Sequence, residues 1–364
     1  MPFLRRSLLA ACALAPAAAR AQVSSVWNAF PGSGRRAWGR ELQILRVGVQ
    51  TADVNIGNVG QYEAYTRLLE STFGIPVTLF RPGDERGLVQ AFGGQQIEFA
   101  PMTQLGYAKA WVETNGNVEP LLTTQAVDGS TGTISVIFAR SDFPFLDLDM
   151  LRRRTLAWVA EDSLDGYLVP HADLLAQGID PERHFSATGF AGGYEQAILA
   201  VLGRRYDAGV TWASAIGYGR GAFARSTLRD MAERKMISLA DINVLWRSSQ
   251  IPFPPVVVRK DTPQEFKDDI AAFHLALPRS HPEIFAAIAN EGSAGWLRAD
   301  AANYTRFIDI LRDQEEQRRR AEADKRRREA EERQRQANEA EMKRREEADK
   351  QRRERAEKWR RRYH

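Results

Sequence analysis

The stretch Glu161–Leu202, EDSLDGYLVPHADLLAQGIDPERHFSATGFAGGYEQAILAVL, constrains the fold most. It reads as a loop, a helix N-terminus, a helix, a Gly-Ile-Asp-Pro turn, a strand, a Gly-Gly loop and a second helix. Polar residues and glycines gather where each loop feeds a helix. There the backbone N–H groups lack partners within the helix and stand ready for an anion or another polar ligand.

Upstream the same alternation repeats. Leu42–Val49 reads as a strand buried on both faces. The segment Gly57–Phe73 carries Tyr62, Tyr65, Leu68, Leu69 and Phe73 at helical spacing and is stopped by Gly74. Ile75–Phe80 is a second strand, Arg86–Phe92 a short helix and Ile97–Pro101 a third strand, before a helix through Tyr107 and Trp111. This order implies a parallel sheet with helices on both faces. Thr133–Ala139 is another strand, and a second α/β run follows from Thr155–Val159 through Ala208–Thr211 to Ile242–Trp246. Pro252–Arg259 then returns to the first lobe, and Thr262-Pro263 opens a helix bearing Phe266, Ile270 and Phe273. Crossings near 140 and 250 divide the chain into a first lobe (41–139 and 250–311) and a second (140–249), hinged about a cleft.

Both ends differ from this body. Arg5 and Arg6 precede an apolar run from Leu8 to Ala19, and Ala19-Arg20-Ala21 fits a small-x-small cleavage pattern, so 1–21 reads as a secretory signal. A periplasmic product starting at Gln22 is expected, with 22–40 as a lead-in. The single cysteine, Cys12, lies within that signal. Leu9-Ala10-Ala11-Cys12 resembles a lipobox, but its apolar run is short, and ordinary cleavage is favoured. The product would hold no thiol, which excludes disulfides, cysteine nucleophiles and cysteine-based metal sites.

Residues 312–364 hold 21 Lys+Arg against 15 Asp+Glu, so the formal net charge of +4 hides an acidic body. Nucleic-acid binding by that body is not expected. The tail is built of good helix formers, with Glu322–Arg326, Glu329–Arg333, Glu331–Arg335 and Glu341–Arg345 in the favourable acid-before-base order. It has coiled-coil-like composition but no apolar heptad to form a seam. A solvated charged helix is the expectation, with its basic, aromatic end (Lys358–Tyr363) suited to the cell envelope or an acidic partner.

Gly166-Tyr167-Leu168-Val169-Pro170, with Ser163 before it, resembles the ligand loop of the phosphate/phosphite/phosphonate-binding family of ABC transporter solute-binding proteins. Leu105-Gly106-Tyr107, Asp128-Gly129-Ser130 and Ile179-Asp180-Pro181 extend the resemblance over roughly 44–311. The resemblance implies a type II periplasmic binding fold, an inner-membrane ABC permease as partner, a phosphonate- or phosphate-like ligand, and no cofactor or metal. It marks Tyr107, Ser130, Thr131, Ser163, Gly166, Tyr167, Tyr194, Glu195 and Trp212 as ligand-binding candidates, with Asp165 among them.

Leu164 and Asp165 stand where the family has Thr and Ser. Like charges ~4 Å apart repel by about 4 kcal/mol at an effective dielectric of ~20. Either Asp165 is a helix cap turned outward, or the ligand is not a plain dianion and carries a cationic group. Trp212, where the family has an acid, would stack on a ligand or hold a cation, or else belong to the core.

The five histidines show no metal-ligand spacing, and neither a nucleophile elbow nor a phosphate-binding loop is present. Gly217–Gly221 reads as a plain loop. The expectation is a solute-binding protein rather than an enzyme. The rival reading is a sensory or interaction protein that reuses the binding fold, its tail docking a partner.

Overall fold

The structure, a computed structural model, describes residues 34–49, 59–144, 146–216 and 224–363. The signal segment, Cys12, most of the lead-in and the Gly217–Gly221 loop lie outside the described residues. Contacts divide the chain into one compact unit through Ile310 and a second from Leu311 onward.

The first sheet has the order β12-β4-β11-β3-β1-β2. Its strands are β1 (Leu45–Gly48), β2 (Val77–Phe80), β3 (Phe99–Pro101), β4 (Val118–Ala126), β11 (Pro255–Arg259) and β12 (Ser293–Arg298). β1 runs parallel to β2 and β3, as the alternating pattern implies, whereas β11 and β12 join antiparallel. Helices α1 (Val59–Phe73), α2 (Glu85–Gly93), α3 (Gln104–Glu113), α8 (Gln264–Ser280) and α9 (Pro282–Ile288) accompany it. Leu45, Val47, Leu69, Phe73, Phe99, Val258, Phe266, Ile270 and Phe273 form its core.

The second sheet runs β10-β5-β8-β6-β7, with β9 also on β5. Its strands are β5 (Gly132–Arg140), β6 (Thr155–Trp158), β7 (Ala187–Phe190), β8 (Ala208–Ser214), β9 (Ile242–Arg247) and β10 (Ile251–Pro252). β6 is parallel to β7 and β8, and β5 is antiparallel to β8, β9 and β10. Helices α4 (Val169–Ala176), α5 (Pro181–His184), α6 (Tyr194–Leu202) and α7 (Thr227–Glu233) belong with it.

Two differences from the sequence reading follow. Thr133–Ala139 pairs within the second sheet, so the outward crossing falls near 127–131 rather than 140. Its side chains are mostly buried on both faces, which suits the middle of either sheet. β4 was hidden by Pro120, which lacks an N–H; the ladder accommodates it with a register shift opposite Val256 and Val257.

The two crossings hydrogen-bond to each other, Ile251 opposite Thr133 and Pro252 opposite Gly132. A Cβ on Gly132 would lie 2.2 Å from the Ile251 carbonyl oxygen, so only glycine lets the crossings approach this closely.

His274 sits at the centre of the first core, edge-on to Phe99, Phe273 and Trp296. Its Nδ1 donates to the Ile270 carbonyl (2.7 Å) and its Nε2 accepts from the Tyr65 hydroxyl (2.9 Å). Burial lowers its pKa to about 4 against the backbone bond that favours the charged ring. The unfolded chain takes up this proton near pH 6.5 and the folded chain does not. Stability from His274 is therefore complete above pH 6.5 and is lost as pH falls toward 4, on the order of 2–3 kcal/mol. Denaturant titrations at both ends of that window should show a smaller loss in His274→Phe. Equal losses in the two proteins would remove His274 as the cause.

The C-terminal helix, α10 (Thr305–Tyr363), runs 59 residues. Of the four ion pairs expected from sequence, it forms Glu341–Arg345 (2.6 Å), and it adds Glu316–Arg320, Asp324–Arg327 and Arg327–Glu331.

Candidate functional site

A cavity of about 220 Å³ opens where the second sheet meets the crossings. Ser130, Gly132 and Thr133 bring in the outward crossing and Phe253 the returning one. Asp165 comes from the loop after β6, Tyr194 from the start of α6, and Trp212 and Ser214 from the end of β8. Arg225 completes the lining. Its segment folds back on β8, with the Ser214 N–H donating to the Arg225 carbonyl (2.7 Å) and Ser226 bridging Ala213.

Residues Leu164–Leu168 form a π-helical turn leading into α4, rather than the plain helix start expected from sequence. Ser163 caps it, its Oγ accepting the Gly166 N–H (3.1 Å). The same Oγ lies 3.0 Å from the Tyr194 hydroxyl, which donates to Asp165 Oδ1. Thr133 Oγ1 reaches Asp165 Oδ2 at 3.5 Å. Asp165 is thus turned into the cavity, and the outward-cap alternative does not hold. Burial raises its pKa, and the hydrogen bonds from Tyr194, its own N–H and Thr133 only partly oppose this. Burial, followed by the charge of Asp165, also raises the Tyr194 pKa, so this phenol remains a donor.

A second carboxylate, Asp128, backs two of the lining serines. Asp128 Oδ1 accepts from the Ser130 N–H (2.9 Å) and Ser130 Oγ (2.6 Å), and Oδ2 accepts from Ser214 Oγ (2.6 Å). Partial burial disfavours its charge. The bonds from Ser130 and Ser214, with the nearby Arg225, outweigh that and hold its pKa below the usual range. Because Ser130 and Ser214 spend their protons on Asp128, they offer the cavity lone pairs. The Arg225 guanidinium makes no hydrogen bond or ion pair among the described residues. The cavity therefore pairs one cation with several acceptors and the half-buried face of Trp212.

The sequence candidates divide accordingly. Ser130, Asp165, Tyr194 and Trp212 line the cavity, and Ser163 supports it through Tyr194. Thr131 faces a neighbouring cavity of about 390 Å³, where it accepts from Gln250. That larger cavity has two arginines in its lining, and both are engaged: Arg298 by Asp268 and Arg306 by Asp173.

Four candidates lie elsewhere. Tyr107 is buried edge-on to Tyr304. Gly166 packs where a Cβ would meet Val159 at 2.4 Å, and Tyr167 packs between Trp158 and Phe190. Glu195 is ion-paired with Arg234 (2.5 Å). Asp128, Thr133, Ser214, Arg225 and Phe253 were not among the candidates. Asp128 carried a signal, as the acid before a Gly-Ser turn, whereas Arg225 carried none.

The family model for the periplasmic substrate-binding protein of phosphonate ABC transporters matches residues 58–304. The phosphonates-binding periplasmic protein of Escherichia coli (strain K12) is 28% identical over 272 residues, covering 74% of this chain and 75% of that protein. A binding-protein component of an ABC phosphonate transporter from Pseudomonas aeruginosa is 20% identical, with a TM-score of 0.45, over 74% of this chain and 85% of that one. A Prochlorococcus marinus protein solved with methylphosphonate is 17% identical, with a TM-score of 0.47, over 75% and 98%. Two mixed α/β sheets joined by paired crossings make the fold that of a type II periplasmic binding protein. With more than half its length matched by the model, the chain belongs to the family of periplasmic substrate-binding proteins of phosphonate ABC transporters.

Proposed function

We propose that the chain captures a small phosphonate-class ligand bearing an amino group and delivers it to an inner-membrane ABC permease. The observation carrying this reading is the mixed polarity of the cavity: the Arg225 guanidinium lines it together with Asp165, the lone pairs of Ser130 and Ser214 and the face of Trp212. A phosphonate oxygen takes the guanidinium's donors, and an ammonium group takes the acceptors and the Trp212 face. A plain dianion satisfies only the first half. The capture step is closure of the two lobes about the paired crossings, with no covalent chemistry. Export through a cleaved 1–21 signal places the chain in the periplasm, where its family operates.

Calorimetry with 2-aminoethylphosphonate, methylphosphonate and inorganic phosphate tests this directly. The aminophosphonate should bind most tightly, with small-angle scattering showing compaction on its addition. Preference for inorganic phosphate would overturn the amino-group assignment, and a panel without any binding would overturn the ligand class.

A further inference from the structure

Charge along α10 is unevenly distributed. From Arg312 to Ala348 there are 13 basic and 12 acidic residues, and from Asp349 to His364 there are 8 basic and 3 acidic. The ion pairs follow the same division. Beyond Arg312, the ion pairs of this helix fall between Glu316 and Arg345. Among the described residues, Arg352, Arg353, Arg355, Lys358 and Arg360–Arg362 form none.

The last turns are also two-faced. Trp359, 64% exposed, shares its face with Arg352, Ala356, Arg355 and Arg362, at seven, three and four residues before it and three after. Glu354 and Glu357, five and two residues away, fall on the opposite side of a 3.6-residue helix. One side therefore presents an indole among guanidinium groups, and the carboxylates are turned away from it.

We propose that the helix from Asp349 onward binds an anionic phospholipid surface, with the preceding turns acting as a charge-balanced spacer. Guanidinium groups match phosphodiester headgroups, and an indole settles at the level between headgroup and acyl chain. Each basic residue near such a surface adds to the attraction, which salt screens. At 1.5 Å per residue, the whole 59-residue helix spans about 90 Å. An acidic polypeptide would use the arginines but has no need of Trp359 on the same face. The proposal is independent of what the cavity binds.

The full-length protein is tested by co-sedimentation with phosphatidylcholine vesicles, with and without phosphatidylglycerol. Binding should require phosphatidylglycerol and weaken as salt is added. The exposed triple variant Arg352→Gln, Arg355→Gln, Arg362→Gln should partition at least about tenfold less. Trp359→Ala should reduce binding severalfold with the charges intact. Equal binding to pure phosphatidylcholine, no loss in the triple variant, or no effect at Trp359 would each overturn the proposal. So would retention on polyglutamate beads by a protein that ignores the vesicles.

Discussion

Arg225→Gln should weaken every phosphonate by about a hundredfold or more while leaving the melting temperature nearly unchanged. A guanidinium that donates two charge-assisted hydrogen bonds to an oxyanion contributes roughly 3 kcal/mol or more, which is that factor in Kd. Within the described protein it makes no competing hydrogen bond or ion pair; its influence is electrostatic, on Asp128. The substitution keeps the start of the aliphatic stem and a polar end, and removes the charge and the guanidinium's forked donors. Methylphosphonate and 2-aminoethylphosphonate should lose affinity by similar factors, because both offer the same oxygens. Isothermal calorimetry beside thermal unfolding separates the outcomes. Undiminished affinity would take the anion away from Arg225, and a large fall in melting temperature would make it a structural residue.

Much of this site was legible locally. Ser163, Asp165 and Tyr194 stand at loops feeding helices, where polar residues either cap the helix or meet a ligand. Ser163 caps, accepting from Gly166, and acts on the cavity only through its contact with Tyr194. Two neighbours on such elements went the other way for reasons of helical phase. Glu195 follows Tyr194 by one residue, which turns it about 100° around α6 and into reach of Arg234. Tyr167 follows Gly166 on the π-helical turn and packs into the second lobe's core between Trp158 and Phe190.

The rest depended on contacts far apart in sequence. Arg225 reaches the cavity only because its backbone returns to pair with the end of β8. The family resemblance marks Tyr107 as a ligand candidate, yet its ring meets Tyr304, nearly two hundred residues on in the chain. Strand existence was clearer than strand membership. β5 is mostly buried on both faces, a property of a central strand that does not say which sheet it enters.

Asp165→Asn should reverse the ligand preference. Asparagine keeps the shape and an oxygen to accept from Tyr194, and removes the charge. Like charges ~4 Å apart repel by about 4 kcal/mol at an effective dielectric of ~20. The Tyr194 and Thr133 bonds already draw on this carboxylate, so about half that figure is expected, roughly thirtyfold in Kd. Methylphosphonate and phosphate should bind more tightly by that factor, and 2-aminoethylphosphonate more weakly by a similar one. The native protein should display the same switch as a pH effect. Because the Asp165 pKa is raised, lowering pH through it discharges the group while most of the surface carboxylates remain ionised. Simple anions should then bind more tightly and the aminophosphonate less tightly, and the variant should lose this dependence. Calorimetry on both proteins as pH is lowered from neutrality into the acid range decides the matter. Parallel pH profiles in the two proteins, with unchanged preference, would place Asp165 among the supports of Tyr194 rather than at the ligand.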